Sequence, residues 1–186
     1  KTYVLDGRSL PLGDGKISDS PKQGYIYSCM MPRGGGGAHK AGPWIHGSTW
    51  DETQKISVYG DVAWPNAYFS VDIKNGKRNL VGNALPVGHT TGIFPIQSAD
   101  PAFQLDRNPN RIQEQQVMLS LPLTPVPASH AECVPMGIIG VALNGVAIFN
   151  GLDGEGRDAV AHEVQDHGNG HPERQGQYHY HGPSKC

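Results

Sequence analysis

Glycine and proline interrupt this chain so often that no long helix can form in it. The 186 residues include 25 Gly and 15 Pro, more than a fifth of the whole. Each Pro removes a backbone donor and each Gly weakens a helix interior, so the pattern favours short strands joined by turns. Dense Gly and Pro also occur in disordered chains. Trp44, Trp50, Trp64 and several compact apolar runs argue against disorder here, because they supply material for a core. The expected fold is mainly β: a single-domain β-sandwich or barrel-like fold with long Gly/Pro-rich loops and less than about 15% helix.

Local patterns place several elements. Residues 1–24 read as an extended N-terminal arm and 25–186 as one β domain, entered by a strand at Gly24-Tyr25-Ile26-Tyr27-Ser28-Cys29. The run Gly34–Gly37 beside Lys40 lacks phosphate-loop spacing and reads as a surface loop. Residues 55–64 alternate apolar and polar as a strand does, and 67–73 continue that pattern up to a turn at Asn75-Gly76 and a further strand near 78–82. Residues 83–130 are Pro-rich and read as packed loops with a short helix around 110–117. Ile138–Leu143 and Val146–Phe149 flank Asn144-Gly145, a strong hairpin signal, and this hairpin is expected to be central and buried.

Charge excludes some partners. The formal net charge is −2, and no Lys/Arg run exceeds two residues, so nucleic acid finds no basic surface. No apolar stretch approaches the length of a membrane span. The chain begins at Lys1 with no apolar leader after it, as a secreted protein does once its signal peptide is removed. Three widely spaced cysteines offer no C-x-x-C pair. Cys29 and Cys133 are expected to be bridged, contributing about 2–5 kcal/mol, which leaves Cys186 without a partner.

Five of the nine histidines lie between 162 and 181: His162, His167, His171, His179 and His181, with Glu163 and Asp166 among them. Imidazoles near carboxylates are the usual ligands of zinc, copper or iron. On a strand, His179 and His181 share one face while Tyr178 and Tyr180 take the other. Residues 158–167 are expected to form a short helix capped by Asp158 and ended by Gly168. On it His162 pairs with Asp166 and Glu163 with His167, so the two pairs cannot both face one ion. His162-Glu163-Val164-Gln165-Asp166 departs from H-E-x-x-H at its last position, so a zincin is not indicated. The candidate metal ligands are His179, His181 and either His171 or His162, and Glu163 is the candidate general base. His89 is a remote candidate, and His39, His46 and His130 are expected to be structural or exposed.

The sequence resembles the YHYH-domain proteins, a family of bacterial exported proteins named for the tetrapeptide Tyr178-His179-Tyr180-His181. The resemblance extends to Ala142–Val146, Phe149-Asn150, Gly156–Ala159, His162-Glu163 and Gly170-His171-Pro172. Upstream it includes Trp64-Pro65, Gly92–Ile96 and Asp106–Asn110. It implies export and no particular activity. It also implies a Cys near position 168 bridged to the terminal one, whereas this chain has Gly168.

Three functions follow as expectations. The first is a mononuclear metal enzyme, a hydrolase with zinc or an oxidoreductase with copper. The second is a non-enzymatic metal-binding module. The third is a self-assembling extracellular protein, in which the arm and an unpaired Cys186 would build homo-oligomers or polymers.

Overall fold

A computed structural model describes residues 7–32 and 34–186. Residues 1–6 of the expected arm and Arg33 of the glycine loop lie outside the described residues. Twelve strands occur among those described: β1 (Leu10–Pro11), β2 (Ile17–Ser18), β3 (Ile26–Tyr27), β4 (Ile45–His46), β5 (Thr49–Trp50), β6 (Phe69–Lys74), β7 (Lys77–Gly82), β8 (Val117–Pro122), β9 (Ile138–Val141), β10 (Ala147–Phe149), β11 (Gly170–Pro172) and β12 (Tyr178–Tyr180). A single turn of α-helix, α1 (Ala159–His162), and two 3-10 turns complete the inventory. The fold is mainly β, as the Gly/Pro punctuation requires. The strands form four small sheets, ordered β1-β5-β4, β2-β3, β6-β7-β8 and β11-β12-β10-β9, and none closes into a barrel.

The main core is built largely by loops. Trp44, Trp50, Val58, Ile96, Ala102, Ala161 and Val164 pack together, and the Trp44 indole donates to the Ala161 carbonyl at 2.8 Å. The Cys29–Cys133 disulfide is formed. Around it the Cys29 N–H donates to Val134 O and the Val134 N–H to Tyr27 O, at 3.0 and 2.7 Å. Part of the expected arm is sewn onto the body of the same chain. β1 pairs with β5, and the Gly13 N–H donates to the Asp158 carboxylate at 2.8 Å.

Several local expectations are corrected. Residues 55–64 form two isolated bridges, Val58 with Asp166 and Val62 with Thr91, instead of a strand. No helix forms at 110–117; instead β8 emerges from that Pro-rich region and pairs with β7 through all six residues. The hairpin at Asn144-Gly145 forms, but it is not central. β9 is the sheet edge, with Ile138 and Ile139 about half exposed and Leu143 at the tip fully out. Its turn places Gly145 at φ 86°, where a left-handed residue closes the loop. A Cβ there would also stand 2.8 Å from Phe69.

Among the described residues, no helix is long and apolar enough to cross a membrane.

Candidate metal centre

β12 is the organising strand of the site. It pairs in parallel with β10, placing Ala147 beside His179, and antiparallel with β11, placing His171 directly opposite His179. Cross-strand partners project to the same side of a sheet, so His171 joins the His179 face. Gly170 makes the close pairing of β11 and β12 sterically feasible, since a Cβ at that position would fall 2.2 Å from the Tyr178 ring. His181 follows the strand, and its ring turns back to the same place.

The histidine and tyrosine faces separate as strand alternation requires. The Tyr178 hydroxyl donates to Asp166, both of whose oxygens lie 2.9 Å away. Tyr180 takes a hydrogen bond from the Asn144 amide at 2.9 Å and lies 2.8 Å from His89 Nε2. The two tyrosine rings meet edge to face and, with Val146, form a second core cluster.

On the other face three imidazoles converge. His171, His179 and His181 each offer a ring nitrogen, and the three atoms lie within 4.8 Å of one another. His179 Nδ1 is 3.0 Å from Gln177 O, and His181 Nδ1 is 2.6 Å from Asn150 O. A carbonyl accepts only, so both Nδ1 atoms carry the proton and both Nε2 atoms present lone pairs. Those two Nε2 atoms face each other at 3.0 Å. Phe149 stacks on His179 with centroids 3.8 Å apart, and buried Asn150 is held by its own side chain, which donates to Pro135 O. Orientation of the rings is therefore fixed by groups outside the cluster, as is usual for metal ligands.

Glu163 completes the group. Its Oε2 lies 3.2 Å from His181 Nε2 and 3.4 Å from His171 Nε2. That oxygen and both ring nitrogens of His171 are buried without a hydrogen-bond partner. Burial holds the Glu163 carboxyl well above its ordinary range, with Asp106 and Asp153 adding to the shift. Burial pushes His171 well below the usual imidazole range, His179 down to about 3 and His181 to about 4. The cluster is a desolvated set of neutral donors.

Glu163 reaches this position because α1 is shorter than expected. Asp158 caps the helix, but the chain turns extended at Glu163 (ψ 140°). The Val164 N–H is taken by the Asp106 carboxylate at 3.0 Å, and Asp166 is drawn into its bridge with Val58. The expected helix over 158–167 is thus cut at His162. His162 itself does not belong to the centre. Its Nε2 faces the Asp14 carboxylate at 2.9 and 3.1 Å, on the side where the N-terminal segment docks. His167 and Asp166 serve the tyrosine face.

The three histidines and Glu163 border a cleft of about 580 Å³ that Phe149 and Arg107 also line. His39 is exposed and stands on its rim. His46 and His130 are exposed. The anchoring carbonyls of Gln177 and Asn150 carried no signal in the sequence. Phe149 carried one only through its place in the hairpin.

These features define a small mainly-β domain built around a buried three-histidine, one-carboxylate cluster. Residues 118–186 match the family model described as YHYH protein. The matched stretch begins within β8 and takes in β9 to β12, Glu163 and all three converging histidines. No curated protein and no solved structure matches the chain.

Proposed function

We propose that this is an exported protein that holds one transition metal ion, zinc or copper, between His171, His179 and His181, and that the ion is catalytic, with Glu163 as its base. One observation carries the reading. The ring nitrogens of His171, His179 and His181 lie within 4.8 Å of one another, with His179 Nε2 and His181 Nε2 at 3.0 Å, and Glu163 Oε2 stands 3.2 and 3.4 Å from the Nε2 atoms of His181 and His171. Ligands about 2.0–2.1 Å from a tetrahedral ion stand about 3.3 Å apart. Two facing lone pairs and an unpartnered carboxyl oxygen are otherwise costly to bury.

The cleft supports an enzymatic role, since it brings solvent or substrate to the ion. Zinc lowers the pKa of a bound water toward neutrality, and Glu163 is placed to take the proton, which makes hydrolysis the natural reaction. The same imidazoles suit copper, with which the site would be an oxidoreductase. The disulfide is compatible with export.

A second reading draws on the same spacing. Glu163 sits at ligand distance, so it can act as the fourth ligand of a closed site in a metal-binding module. Cobalt- or copper-loaded Cys186→Ser protein, which lacks the free thiol as a competing ligand, purified without a histidine tag, separates the two. An open site changes its visible spectrum when azide is added, and Glu163→Gln keeps the ion. In a closed site azide has no effect and Glu163→Gln loses the ion. If His179→Ala/His181→Ala releases no metal, both readings fail.

A further inference from the structure

The tyrosine side of β12 holds a second set of ligand-type groups. One ring nitrogen each from His89 and His167, together with Cys186 Sγ, lie within 4.8 Å of one another. They come from three separate segments: the loop after β7, the turn before β11, and the stretch after β12. Cys186 forms no disulfide and is exposed, while both histidines are partly buried. The histidine rings meet edge to face at 6.5 Å.

We propose that His89, His167 and Cys186 form a separate metal site, a thiolate with two imidazoles, for a borderline or soft ion such as zinc or copper(I). Thiolate and imidazole together select these ions. His89 is already aimed. Its Nδ1 lies 2.7 Å from Thr90 O, so Nδ1 carries the proton and Nε2 the lone pair. That lone pair now accepts the Tyr180 hydroxyl at 2.8 Å; the ion would take the lone pair instead, and the hydroxyl would keep its proton and rotate it away from Nε2. His167 Nε2 rests 3.3 Å from the Thr90 hydroxyl. Gathering the three ligand atoms from 4.8 Å to tetrahedral spacing asks for small rotations of side chains that solvent already reaches. Binding would release the thiol proton and leave a thiolate on the ion. No redox partner is required. With Cys186 exposed, a water would complete the coordination.

This site lies across β12 from the first and does not depend on it. Cobalt(II) loading tests it, because a thiolate bound to cobalt gives an intense near-ultraviolet charge-transfer band that imidazole and carboxylate ligands do not. Cys29 and Cys133 are bridged, so only Cys186 can supply that thiolate. The band is expected in the wild type and, unchanged, in His171→Ala/His179→Ala/His181→Ala. It should vanish in Cys186→Ser and fall at least tenfold at limiting cobalt in His89→Gln/His167→Gln, with folding checked by thermal melting. No band in the wild type would overturn the proposal. A band of equal strength in a folded His89→Gln/His167→Gln variant would overturn it too, since it would show adventitious binding to an exposed thiol.

Discussion

The two faces of β12 treat their polar groups in opposite ways. Among the described residues, every buried polar side chain on the tyrosine face has a partner. Asp166 accepts from the backbone N–H groups of Gly92, Gly168 and Gly170 at 2.9–3.1 Å, as well as from Tyr178. On the histidine face, Glu163 Oε2 and both His171 nitrogens have none, and two imidazole lone pairs confront each other. A satisfied buried network adds rigidity, whereas an unsatisfied one is costly unless something binds it. A single three-residue strand therefore separates a satisfied network that holds the fold from an unsatisfied one that a ligand would complete. The alternation of side chains is what makes that division possible.

The largest effect should come from cutting the tyrosine face. Tyr180 is fully buried between Tyr178 and His89. Tyr180→Ala is expected to cost about 3–5 kcal/mol, read by chemical denaturation, while the folded fraction keeps the ion of the histidine face. Loss of that ion at full stability would reverse the roles assigned to the two faces.

Acid should act through the histidine face. His179 and His181 titrate near 3 and 4 in the fold, and His171 also lies well below the ordinary 6.5, in each case through burial first. The unfolded chain takes up these protons near pH 6.5, so stability present above that value is lost as pH falls toward 4 and then 3. Glu163 works in the other direction. Its raised pKa makes its contribution decline as pH rises past 4.5, and buried Asp106, also raised, acts in the same direction, but they are two groups against three. Metal-free protein should thus melt progressively lower between pH 6.5 and 4, and His179→Gln/His181→Gln should flatten the slope. An equally steep slope in that variant would place the acid sensitivity elsewhere.

A milder change tests the hydrogen bonds of the tyrosine face alone. Tyr178→Phe keeps the ring but removes the donor to Asp166, for an expected loss of about 1–3 kcal/mol and no change in metal content. The smallest effect belongs to the contact of His162 with Asp14, which is over a third exposed. Asp14→Ala, which removes that contact from its exposed end, should cost on the order of 1 kcal/mol or less and leave metal content unchanged.

What the sequence could reveal was whatever depends on local geometry. The period of two in Tyr178–His181 was enough to separate tyrosines from histidines, and the Asn75-Gly76 turn joins β6 and β7 as its residues indicate. What depends on distant partners was hidden. His171 enters the site only because β11 pairs with β12, and no periodicity in Gly170-His171-Pro172 announces that pairing. The helix over 158–167 looked longer because nothing nearby shows that Asp106 and Val58 will claim the backbone beyond His162. That shortening turns Glu163 toward the cleft and His162 toward Asp14, a choice between neighbours that spacing alone left open. The apolar alternation of 55–64 is likewise spent on two single bridges and on the core.

The central claim is that the histidine face of β12 holds an ion, and metal content measures this most directly. Cys186→Ser removes the thiolate of the other cluster, so the comparison is best made in that background. Protein produced without a histidine tag and dialysed against zinc is expected to retain one ion per chain. With His179→Ala/His181→Ala added, it should retain none while its circular dichroism is unchanged. One ion per chain in both proteins would contradict the account.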